Sequence, residues 1–176
     1  KLRLVNIKNS FEMSTVDSDS KAFSKLRNLI LINIDIDLKR ILTKCCHTLK
    51  SLELEGFLLN NLEEELTCLN YLSISPGPAV PDQLSILLTK CSGSLRTLKL
   101  DFLLADEIDL STLLNQTMKI TTLVVMEYEG NNLDQFLNKC PLVQKLTLRS
   151  YRKAIDDVVL KDLRKLEVHG CSDKFV

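Results

Sequence analysis

The sequence predicts an α/β repeat fold: a curved solenoid with about eight parallel strands on its concave face and helical or irregular crossovers on its convex side. Two observations carry this. The 176 residues include 36 Leu, about a fifth of the chain, with 5 % aromatics and no Trp, so the core must be aliphatic. Those leucines also recur in one phrase, Leu-x-Leu preceded by an apolar residue three positions earlier, at near-constant intervals.

The copies run in order. Leu2-Arg-Leu4 supplies the last two positions of the first. Leu26-Arg-Asn-Leu29-Ile-Leu31, Leu49-Lys-Ser-Leu52-Glu-Leu54, Leu69-Asn-Tyr-Leu72-Ser-Ile74 and Leu95-Arg-Thr-Leu98-Lys-Leu100 follow. Ile120-Thr-Thr-Leu123-Val-Val125, Val143-Gln-Lys-Leu146-Thr-Leu148 and Leu163-Arg-Lys-Leu166-Glu-Val168 complete the series. The closing residues fall at 4, 31, 54, 74, 100, 125, 148 and 168, with intervals of 27, 23, 20, 26, 25, 23 and 20. Period and phrase resemble those of leucine-rich repeats. Alternation puts both leucines of each phrase on one face of a short strand. Each copy shelters them only against its neighbours, so the strands are expected to stack in a parallel sheet with every crossover on the same side.

The crossovers agree. Asp37 to Cys46 and Pro81 to Cys91 carry apolar residues at helical spacing, with Pro81 suited to a first turn. Leu58 to Cys68, Asp109 to Met118 and Asn132 to Cys140 give weaker helical patterns, and Ser150 to Asp162 reads as an extended segment or a single turn. Lys44, Lys90 and Lys139 sit near the helix ends, where they complement the dipole. Asp17 to Lys21 reads as a polar surface stretch, and Ser75 to Pro81, rich in Pro, as a loop. Neither end supplies a polar capping repeat, so residues 1–176 are expected to form one repeat domain within a longer chain.

Composition narrows the function classes. Twenty-three basic residues balance 23 acidic ones, which removes the global positive field of most nucleic-acid binders. The basic phrase Lys161 to Lys165 mixes signs and lacks aromatics, so no nucleic acid is expected as partner. No apolar run approaches the length needed to cross a bilayer, and no membrane is expected either. Five of the six cysteines, Cys45, Cys46, Cys68, Cys91, Cys140 and Cys171, lie in apolar patterns where a free thiol acts as a small hydrophobe. That predicts a reducing, intracellular compartment, cytoplasmic or nuclear. The triplet Asn115-Gln116-Thr117, a sequon in a predicted helix, points the other way.

Three crossovers end alike: Leu42-Thr-Lys-Cys45-Cys46-His-Thr-Leu49, Leu88-Thr-Lys-Cys91-Ser-Gly-Ser-Leu95 and Leu137-Asn-Lys-Cys140-Pro-Leu-Val. The last strand runs Leu166-Glu-Val168-His-Gly-Cys171. These phrases resemble the cysteine-containing class of leucine-rich repeats found in F-box proteins. The resemblance implies a substrate-holding role within a ubiquitin-ligase adaptor. In that family the F-box lies upstream of the repeats and docks on the linker subunit of a cullin–RING ligase, and no such helical segment lies in these residues. The sequence departs from the family at the Asn/Cys position after the strand. Only Cys171 fits there; the other copies have Ile7, Ile34, Phe57, Gly77, Leu103, Tyr128 and Tyr151. The turns must therefore satisfy their backbone amides by another route.

No reactive constellation stands out, and the chain is expected to be non-catalytic, with no cofactor and no metal. Cys45-Cys46-His47 is the densest set of metal-ligand types, but adjacent cysteines point apart and no second pair sits at zinc-site spacing. His169 and Cys171 read as a surface imidazole and a turn thiol. What remains is the concave face. Ile30 with Ile32 and Val124 with Met126 are apolar pairs on it, among Glu53, Glu55, Tyr71, Lys99, Lys145 and Arg149. Apolar anchors on a polar rim have the anatomy of a protein-recognition surface. Two other readings share the solenoid: the ligand-sensing repeats of an intracellular immune-type receptor, and a stand-alone inhibitor or scaffold. An F-box pattern, a phosphate-binding loop, or further repeats with a cap upstream of Lys1 would separate the three.

Overall fold

The computed structural model describes residues 1–5, 23–33, 38–56, 62–75, 81–102, 108–130, 132–151, 158 and 160–170. Eight strands form one open sheet in sequence order. They are β1 (Leu2–Val5), β2 (Asn28–Ile32), β3 (Ser51–Glu55), β4 (Tyr71–Ser75), β5 (Thr97–Asp101), β6 (Thr122–Met126), β7 (Lys145–Arg149) and β8 (Lys165–His169). Every neighbouring pair is parallel, and the repeat phrases align without slippage: Leu29 faces Leu52, which faces Leu72, then Leu98, Leu123, Leu146 and Leu166. The period-2 alternation explains the burial. In β2 to β6 the second and fourth residues are buried, and the third and fifth are half-buried on the opposite face.

Among the described residues three helices cross between strands: α1 (Leu38–Cys45), α2 (Pro81–Cys91) and α3 (Leu133–Asn138). Their buried side chains, among them Ile41, Leu42, Leu84, Leu87, Leu88, Phe136 and Leu137, share a single core with the strand leucines. These three crossovers therefore lie on one side of the sheet. Each fully buried leucine contributes about 1.5–3 kcal/mol relative to exposure.

Two crossovers differ from expectation. The described part of the Leu58–Cys68 segment is irregular rather than helical, and Asp109–Met118 forms only a 3-10 turn at Leu110–Thr112. In both, backbone donors reach sideways: Leu66 N–H bonds the Lys90 carbonyl at 2.9 Å and Met118 N–H the Lys139 carbonyl at 2.8 Å. An amide satisfied by the next crossover needs no partner four residues back. The Asn115-Gln116-Thr117 triplet consequently lies in exposed irregular chain, not in a helix. The Asp17 stretch, residues 76–80, most of Ser150–Asp162, Cys171 and the post-strand positions Ile7, Ile34, Phe57, Gly77 and Leu103 fall outside the described residues.

The lysines of the shared phrases do more than complement a dipole. Lys90 Nζ donates to the Glu63 carbonyl at 2.6 Å, and Lys139 Nζ donates to the Leu114 carbonyl. Thr48 Oγ1 and Ser94 Oγ likewise donate to the Leu26 and Leu66 carbonyls of the preceding copy, at 3.0 and 2.8 Å.

Candidate functional site

The face of the sheet opposite the crossovers carries all ten residues singled out above. The strand register arranges them in three rows. The first contains Asn28, Ser51, Tyr71, Thr97, Thr122, Lys145 and Lys165. The second runs Arg3, Ile30, Glu53, Ser73, Lys99, Val124, Thr147 and Glu167. The third holds Val5, Ile32, Glu55 and Ser75, then Asp101, Met126, Arg149 and His169. With ~4.8 Å between neighbouring strands, the Ile30/Ile32 pair on β2 stands ~19 Å from the Val124/Met126 pair on β6. Glu53 and Glu55 sit one strand from the first pair, and Ser73, Ser75 and Lys99 lie between. The four apolar residues are half-buried.

Charge is handled differently at the two ends. On β7 and β8, Glu167 is bracketed by Lys165 Nζ at 2.7 Å and Lys145 Nζ at 3.2 Å, and it accepts a hydrogen bond from Thr147 Oγ1 at 2.9 Å. The hydrogen bonds from Lys165, Thr147 and Lys145, in that order, pull its carboxyl from an ordinary 4.5 down to about 2. Thr147, whose alternation places it outward, is 3 % exposed in this cluster. Lys145 is thus occupied internally. Among the described residues Glu53, Glu55 and Lys99 form no ion pair, and Arg149 is exposed.

The turns leaving the strands answer the amide question raised by the missing Asn/Cys ladder. Asn33, Gly56, Glu127, Ser150 and Gly170 each follow a strand directly with φ between 50° and 62°. Four of these left-handed residues donate their N–H to the last carbonyl of the next strand: Asn33 to Glu55, Gly56 to Ser75, Glu127 to Arg149 and Ser150 to His169, at 2.8–3.2 Å. Phe102 N–H does the same to Met126 at 3.0 Å. Behind this rim the buried ring of Tyr128 is tilted against Phe102, with centroids 5.1 Å apart, and stacked on Tyr151 at 6.1 Å. Alternation alone does not reveal this ladder; the Asn and Gly at three of the five positions are the signal in the sequence.

The cysteine candidates do not converge. Cys45 Sγ donates back to the Ile41 carbonyl and Cys46 Sγ to the Thr43 carbonyl, while exposed His47 contacts Thr67 Oγ1 at 3.4 Å. Burial pushes the thiols of Cys45, Cys91 and Cys140 up to about 12, so they stay protonated and poorly nucleophilic at neutral pH. The described cysteines are free thiols. Among the described residues no three His, Cys, Asp or Glu side chains gather as metal ligands, and no helix is long and apolar enough to cross a membrane. Cys171, two residues beyond His169, lies outside the described residues. No family model, curated protein or solved structure matches this chain.

Proposed function

We propose that the chain is a leucine-rich-repeat solenoid that binds another protein across the open face of its sheet, as the substrate-holding repeats of an F-box-type ubiquitin-ligase adaptor. The open face is then the concave wall of a horseshoe. The observation that carries this reading is the placement of two half-buried apolar pairs, Ile30/Ile32 and Val124/Met126, in a floor that between them is made of polar and charged side chains. Recognition surfaces combine apolar anchors with a polar surround in this way. The buried thiols at Cys45, Cys91 and Cys140 support the assignment to the cysteine-containing repeat class. On this reading the wall performs no catalysis, and ligase attachment runs through a linker subunit held by a segment outside these residues.

The test is capture of partners by the full-length protein, parent against Val124→Asp with Met126→Asp. Both side chains lie off the core, so the variant is expected to fold while its specific partners are lost. Recovery of a cullin–RING linker subunit with both proteins would support the adaptor reading. Unchanged capture of the other partners would exclude this face.

A further inference from the structure

We infer that Glu53, with Glu55 beside it, is the receptor for a lysine or arginine side chain of the bound protein, presented in an extended segment between two aliphatic residues. The inference deepens the reading of the open face as the binding wall and rests on it.

The sheet contains its own template. Glu53 and Glu167 occupy the same register position, the middle outward residue of their strands. At Glu167 the three surrounding positions hold Lys165 on the same strand, with Lys145 and Thr147 on the preceding one, and all three bond its carboxylate. At Glu53 the equivalent positions hold Ser51, Asn28 and Ile30. Neither the same strand nor the preceding one supplies an ammonium group. Lys99, in the same row, is two strands away across Ser73 and forms no ion pair among the described residues. Glu55 adds a second carboxylate two residues along the strand, ~6.6 Å from the first between Cα atoms. A cation arriving from outside completes at Glu53 the arrangement that Lys145 and Lys165 complete at Glu167.

The neighbours set the rest of the ligand. The Ile30/Ile32 pair is one strand away and the Val124/Met126 pair three strands away on the other side, ~5 and ~14 Å. An extended chain advances ~3.3 Å per residue. The cation should therefore have an aliphatic residue one or two positions to one side and about four to the other. A partner of this kind is attracted by opposite charge and anchored by apolar contact.

The experiment uses nonapeptide libraries with a central Lys, Ser or Glu and randomised flanks, applied to the immobilised protein. The expected result is retention of the Lys library about tenfold over the Glu library, with aliphatic residues selected at that asymmetric spacing. Glu53→Gln with Glu55→Gln should abolish the preference, whereas Glu65→Gln, an exposed glutamate of a crossover, should preserve it. Glu53→Lys should turn the preference toward the Glu library, a gain that loss of folding cannot imitate. Equal retention of the three libraries by the parent protein, or a parent-like preference in the double glutamine variant, overturns the inference. If the glutamine variant captures natural partners normally while Val124→Asp with Met126→Asp does not, this inference falls and the binding wall stands. If both variants capture partners normally, the binding wall falls with it.

Discussion

Glu167 shows how much a single position on the open face depends on its neighbours. Its folded carboxyl is held near 2 against an ordinary 4.5, so the folded state binds fewer protons than the unfolded one between those values. The ion cluster thus favours folding above pH 4.5, and that contribution is lost as pH falls through 2. We expect an NMR titration of the Glu167 carboxyl carbon to give a midpoint near 2, moving back toward 4.5 when Lys145 and Lys165 are changed to Met. A parent midpoint near 4.5 would mean that the pairs do not persist in solution. Alternation made Glu167, Lys145 and Lys165 legible as outward residues, but the pairing depends on Lys145 reaching diagonally to the next strand. The turn residues were legible only in part. Asn33, Gly56 and Gly170 announce a left-handed backbone, whereas Glu127 and Ser150 do not. Gly56 is doubly constrained: its φ is +56°, and a Cβ there would lie 2.4 Å from Asn33 Oδ1.

For the strands, the eight closing residues placed every element, because period-2 burial leaves each Leu-x-Leu only one buried face. Leu98 tests this most directly. It is fully buried between Leu72 and Leu123. Leu98→Asp is expected to cost more than about 4 kcal/mol, since it leaves an unpaired carboxylate in an aliphatic stack. Chemical denaturation should show the loss of a cooperative transition, and a change below about 1 kcal/mol would refute the packing. The crossovers were less legible. Leu62, Leu66 and Leu69 are all buried at three- and four-residue spacing, yet the segment is not helical. Only 20 residues separate Leu54 from Ile74, against 26 between Ile74 and Leu100, which contain α2. The shorter path turns the Leu66 amide to the Lys90 carbonyl of the adjoining crossover, a choice that spacing of apolar residues does not reveal.

Across the whole molecule, each strand pairs only with its sequence neighbours. Stability in such an array is a sum of adjacent contacts, weakest where a strand has one neighbour. The ends bear this out: Leu166 and Val168, in core register on β8, are 54 % and 38 % exposed, whereas the corresponding Leu98 and Leu100 on β5 are fully buried. In a protein made of residues 1–176 alone, amide hydrogen exchange is expected to be slowest in β3 to β6 and to quicken toward β1 and β8. Uniform protection across all eight strands would show that the sheet opens as one unit.

The entrance to each strand carries a device with a consequence for how the molecule changes length. The carbonyls of Arg27, Lys50, Asn70, Arg96, Thr121 and Gln144 each accept two N–H groups from the following copy, at 2.8–3.1 Å. These clasps recur unchanged although the arcs between successive strands differ by several residues. Excising residues 51–70 would join Lys50 to Tyr71. Arg27 would then grip Lys50 and Tyr71, while Lys50 would grip Arg96 and Thr97, so each clasp amide meets an equivalent carbonyl. Cutting at these clasps to drop or duplicate a strand with its crossover therefore keeps the backbone pairing at the seam, and the sheet would shorten or lengthen by whole strands.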